Sequence, residues 1–159
     1  MLKLNAQACN GFTLVEVLVA VLVLSFGLLG MAGLQVYSLA SNHSAYLRSQ
    51  ATVLAYDIVD RMRANPEQAE AGAYDIDFEA AAPATSVNCE SSACTGADMA
   101  AFDLGQWLLG TAGRLPNGDG EISRNGSIFI VAVRWTDRDV DIADGTGADP
   151  VVLQVSTEL

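Results

Sequence analysis

Few side chains in this 159-residue sequence are of a type and spacing to do chemistry. The first of them is out of place. Glu16 is the one charged residue in the 23 from Phe12 to Leu34, a run without proline. A carboxylate inside an apolar span costs on the order of 2.5–3.5 kcal/mol by insertion scales, so it needs a partner or a task. In the first turn of a helix it also faces the positive end of the backbone dipole. Cys89 and Cys94 are the second candidate, a close pair that could form a disulfide, stay as thiols or hold a metal. A metal needs two more ligands, and no suitable His or Cys is near. A redox motif has two intervening residues, whereas this pair has four. A disulfide is the expectation, contributing roughly 2 kcal/mol for so short a loop.

The remaining polar candidates are weaker. Asp137, Asp139 and Asp141 alternate as in a calcium loop. Ile142 then stands where the turn needs glycine, and Ala148 where a bidentate glutamate is expected. A solvated acidic loop is the expectation and calcium the alternative. His43, the single histidine, has no cysteine or carboxylate cluster beside it and reads as a polar-face residue. No nucleophile elbow, phosphate loop or catalytic dyad is present in the sequence, so neither an enzyme nor a cofactor is expected.

The element that must position Glu16 is a long helix. At about 1.5 Å per residue, the 23 residues of this apolar span cover roughly 34 Å, enough to cross a bilayer. Gly27, Gly30 and Gly33 recur every three residues and permit close helix approach in lipid. Beyond Leu34 the pattern turns amphipathic without a break: Leu39, Tyr46, Leu47, Val53, Leu54, Ile58 and Met62 suit one helical face. Asn65-Pro66 stops the helix. The expected helix therefore covers 12–64, with 12–34 transmembrane and 35–64 amphipathic. A short polar segment, 1–11, precedes it, and Lys3 favours a cytoplasmic start. Ordinary signal cleavage near Ser38-Leu39-Ala40 and lipidation at Cys9 are weaker readings, since the apolar run is long and none precedes Cys9.

A globular head, 65–159, should follow. Thr95 or Asp98 can cap a second helix that ends near Gly110 and Gly113, with Trp107 as a core anchor. Asn117-Gly118 and Asp119-Gly120 mark a tight reversal. Ser127–Thr136, apolar on both faces until Arg134, reads as a central strand. Val151–Thr157 should pair with it, Glu121–Ser123 adds a possible third strand, and Tyr74–Phe78 a possible edge strand. Residues 65–159 hold 16 acids and 4 bases, a net of −12. Such a head repels nucleic acid, which is not an expected partner.

Gly11-Phe12-Thr13-Leu14-Val15-Glu16 resembles the class III signal of type IV pilins and pseudopilins. The resemblance implies cleavage between Gly11 and Phe12 by a prepilin peptidase, methylation of the new amine on Phe12, and Glu16 as the fifth mature residue. Glu16 would then pair with the amine of a neighbouring subunit and fix axial register. The implied fold is α+β and type IV pilin-like, a long N-terminal helix packed on a small antiparallel sheet. Further on, Asp60-Arg61-Met62-Arg63-Ala64-Asn65-Pro66, Cys89/Cys94, Ala100-Ala101-Phe102-Asp103-Leu104, Gln106-Trp107 and Leu115-Pro116 with Gly118 are similar to minor pilins of the PilV type, the type IV pilus modification proteins. That resemblance implies a single pass of the inner membrane, a periplasmic head and later inclusion in a pilus. Its implied partners are other minor and major pilins and the inner-membrane assembly machinery. A minor pseudopilin of type II secretion and a pilus-tip adhesin are the alternatives.

Overall fold

A computed structural model describes residues 11–84, 87–137 and 150–159. The protein forms α1 (Leu14–Ala64), α2 (Pro66–Glu70), α3 (Gly96–Arg114), β1 (Asp119–Asn125), β2 (Ile128–Trp135) and β3 (Val151–Thr157). It divides into two compact units, 1–40 and 41–159.

In the first unit, α1 begins where Thr13 can cap it. The Glu16 backbone N–H donates to Thr13 Oγ1 at 3.3 Å and lies 3.1 Å from the Thr13 carbonyl oxygen. The following residues carry no proline or cap, so the helix continues. Every residue from Gly11 to Leu39 is exposed.

The second unit holds the core. Leu47, Ala51, Leu54, Ala55, Ile58, Val59 and Met62 of α1 are buried, each with another of the set three or four positions away, so that together they make one broad stripe. Tyr46 and Val53, one position before Leu47 and Leu54, are instead more than half exposed. One residue is a 100° rotation, so the expected single face splits there. α1 ends at Ala64 because Pro66 cannot donate to the next turn. Pro66 then opens the short α2.

α3 is capped by Thr95, whose hydroxyl accepts from the Asp98 N–H while the Asp98 carboxylate accepts from Thr95. It runs on through Gly110 and Gly113 to Arg114, so these glycines do not end it. At Gly110 an added Cβ would meet Leu54 Cδ2 at 3.4 Å; the glycine lets α3 lie close on α1. The stop comes at Leu115, which is extended ahead of Pro116.

The sheet is antiparallel with order β1-β2-β3. Asn125 pairs with Ile128, leaving Gly126-Ser127 as a two-residue hairpin loop, with Gly126 at φ +66°. The reversal expected at 117–120 is therefore displaced. Asn117 and Gly118 turn the backbone out of α3, and Asp119 and Gly120 already belong to β1. Phe129, Val131, Val133 and Trp135 face the core, while Ile128 on the opposite face is exposed. β2 is thus central but fully covered on one side only. Tyr74–Phe78 contributes one antiparallel bridge, Ile76 to Ile122, rather than a strand.

Gly120 shows why a side chain is excluded at one point of β1. A Cβ there would fall 2.3 Å from Trp107 Cη2. The indole cannot retreat easily, because it is buried and its Nε1–H donates to the Leu54 carbonyl oxygen at 2.9 Å.

Candidate assembly site

The candidate site lies at the start of α1. Gly11 and Phe12 lie before the first helical residue, and Phe12 is 82% exposed. The Gly11–Phe12 amide is therefore accessible in non-helical backbone. Thr13 accepts from the amide of Glu16, which puts that carboxylate in the first helical turn. There it meets the partial positive charge of the unsatisfied N–H groups. Sequence reasoning misses Thr13, although Thr-x-x-Glu is a capping pattern.

From Leu14 to Leu39 the apolar side chains have no intramolecular cover; Leu14 is 90% exposed. α1 is the one helix among the described residues long and apolar enough to cross a membrane. Nothing lies within 4 Å of a Cβ built at Gly27, Gly30 or Gly33. The stripe these glycines leave is open to another helix or to lipid.

The other candidates lie in the second unit. Cys89 and Cys94 are joined as a disulfide, S–S 2.00 Å, immediately before the Thr95 cap of α3. His43 is an exposed residue of α1. Asp137 departs from expectation: it is buried rather than solvated, and accepts from the Ser44 hydroxyl at 2.6 Å. The rest of the acidic segment considered for calcium, 138–148, lies outside the described residues.

A polar network joining residues far apart in the sequence fixes the end of α1 to α3. Arg61 donates to Asp57 Oδ2 and Asp103 Oδ1, each at 3.1 Å. The Tyr74 hydroxyl donates to Asp103 Oδ2 at 2.8 Å. Asn65 Nδ2 donates to the Gly96 carbonyl oxygen at 2.8 Å and to Tyr74 Oη at 3.3 Å. Both oxygens of the buried Asp103 are thus satisfied, as a buried carboxylate requires. Burial raises the Tyr74 phenol well above its ordinary value; the hydrogen bond to Asp103 adds to this, and the one from Asn65 opposes it. On the sheet, Arg134 bridges Asp119 at 2.8 Å and Glu79 at 3.2 Å, with its guanidinium 4.4 Å from the Phe78 ring centroid.

Residues 7–32 match the prokaryotic N-terminal methylation motif. Residues 33–105 match the Tt1218-like family, described as type IV pilin Tt1218. The fold is that of a type IV pilin. No curated protein and no solved structure matches the sequence significantly. The two matches meet at Gly33 and cover Gly11, Phe12, Glu16, both cysteines of the disulfide and the whole Arg61–Tyr74–Asp103 network. The pilin sheet begins at Asp119, beyond both, and its place in the fold rests on structure alone.

Proposed function

We propose that the protein is a minor pilin of the PilV type. A prepilin peptidase cuts it between Gly11 and Phe12 and methylates the Phe12 amine. The mature subunit, starting at Phe12, spans the inner membrane once through 12–34 and holds its head, 65–159, in the periplasm. It then joins other minor pilins and the major pilin on the inner-membrane assembly machinery to prime a type IV pilus. Its role is structural rather than enzymatic.

The observation that carries this is the uncovered start of α1: a fully exposed apolar helix with one carboxylate, Glu16, within the span of the methylation motif. A buried charge without a partner is strongly unfavourable. Cleavage supplies the partner, because it creates an amine on Phe12 of each subunit. In a bundle of such helices, amine and carboxylate from adjacent subunits match at one axial register only.

Glu16→Ala tests this. Processing at Gly11 should persist, while recovery of the subunit in sheared pili should fall to background. Normal incorporation of the variant would overturn the register role. Deletion separates the neighbouring reading: a pilus subunit supports twitching motility, whereas a type II secretion pseudopilin supports export of secreted proteins.

A further inference from the structure

Asn-Gly occurs three times in the sequence, at Asn10, Asn117 and Asn125. The backbone nitrogen after an asparagine can attack Cγ, the carbonyl carbon of that asparagine's own amide. A following glycine leaves the approach unhindered, because it has no Cβ.

The fold treats the two described copies differently. At Asn117 both reacting groups are engaged. The side-chain amide donates to Thr136 Oγ1 at 3.2 Å, and the Gly118 N–H donates to the Leu115 carbonyl oxygen at 3.0 Å. Gly118 is also packed hard against α3: a Cβ there would lie 2.1 Å from the Thr111 carbonyl oxygen. At Asn125 both groups are free among the described residues. Asn125 is the exposed last residue of β1, and its side chain makes no hydrogen bond. The Gly126 N–H enters no backbone hydrogen bond outside the ladder, and a Cβ on Gly126 would meet nothing within 4 Å.

We infer that Asn125 is a site of spontaneous deamidation, a covalent modification that Asn117 escapes. Hydroxide removes the Gly126 amide proton, and the nitrogen attacks Asn125 Cγ. A new bond between Gly126 N and Asn125 Cγ closes a five-membered imide. The bond from Cγ to Nδ2 breaks, and ammonia leaves. Water then adds to one of the two imide carbonyls. Opening on one side gives aspartate, and on the other isoaspartate, so the net reaction consumes one water and releases one ammonia. No oxidant or reductant is needed. Either product adds a negative charge to a protein already at −11. Isoaspartate also puts an extra methylene into the backbone beside the closing pair Asn125↔Ile128, which loosens the hairpin from its tip.

The test is peptide mapping by mass spectrometry on the purified full-length protein in detergent micelles, sampled over days at mildly alkaline pH. The Asn125 peptide should gain the mass difference between amide and acid and resolve into two isomers. The Asn117 peptide should lag by at least about tenfold, because two hydrogen bonds must break before it can react. In urea the two peptides should convert at similar rates, which assigns the difference to the fold. Asn125 persisting as amide in the native protein, or both sites converting together there, would overturn the inference. So would an Asn125 that stays inert in urea.

Discussion

Glu16 and Tyr74 are polar residues in apolar surroundings, and they are resolved in opposite ways. Tyr74 finds its partners within its own subunit. Removing its hydroxyl leaves Asp103 Oδ2 and Asn65 each short of a partner, so Tyr74→Phe should cost about 1–3 kcal/mol in urea denaturation. The pH dependence follows from the direction of the shift. A phenol whose folded value is raised adds stability that is complete below its unfolded value, about pH 10. That stability is lost as pH climbs, because the unfolded state releases the proton first. The wild-type midpoint should therefore fall above about pH 10, and the slope should be shallower in Tyr74→Phe. Among the described residues Glu16 has no such internal partner, and the proposed function draws its partner from processing and assembly. Its oddity was legible because a lone charge in an apolar run of 23 residues is a local fact. The Arg61–Asp103–Tyr74 network was not, because its members lie 42 and 29 positions apart and each looks ordinary in its own neighbourhood.

Among the elements, those with local punctuation were readable. Thr95 with Asp98 announces α3, Asn65-Pro66 ends α1, and the apolar run of β2 identifies the central strand. Those decided by packing were misread. Of the two Asn-Gly pairs in the head, only Asn125-Gly126 sits between strands that can pair; Asn117-Gly118 leaves a helix. Gly110 looked like a helix stop but is a contact point for Leu54. The same contact logic gives a prediction at Gly120. Gly120→Ala forces a Cβ into the Trp107 ring, which the bond to Leu54 holds in place. The cost should be about 1–3 kcal/mol, read as a lowered urea midpoint. Replacing Cys89 and Cys94 by serine should cost about 2 kcal/mol through the freed loop. Amide exchange should then rise first at Thr95–Met99, the turn next to the disulfide. Uniform exchange across α3 would contradict that local role.

At the scale of the whole molecule, the two units differ in what completes them. The unit 41–159 closes its own core around Leu54, Ile58, Trp107 and Val131. In the other unit, the described residues 11–39 are all exposed, and their apolar side chains are left to lipid or other helices. That contrast was already present in the sequence as a shift from continuous to periodic hydrophobicity near Leu34. What one subunit does not contain is the neighbour proposed to neutralise Glu16. The proposal makes that neighbour a second processed subunit, and so makes a free, methylated Phe12 amine its central requirement. Intact-mass analysis of the subunit purified from the pilus-bearing cell measures this directly. The predicted mass is that of residues 12–159 with one added methyl group and with Cys89 and Cys94 oxidised. A mature subunit that still begins at Met1, or that begins at Ser41, has no such amine and would contradict the account.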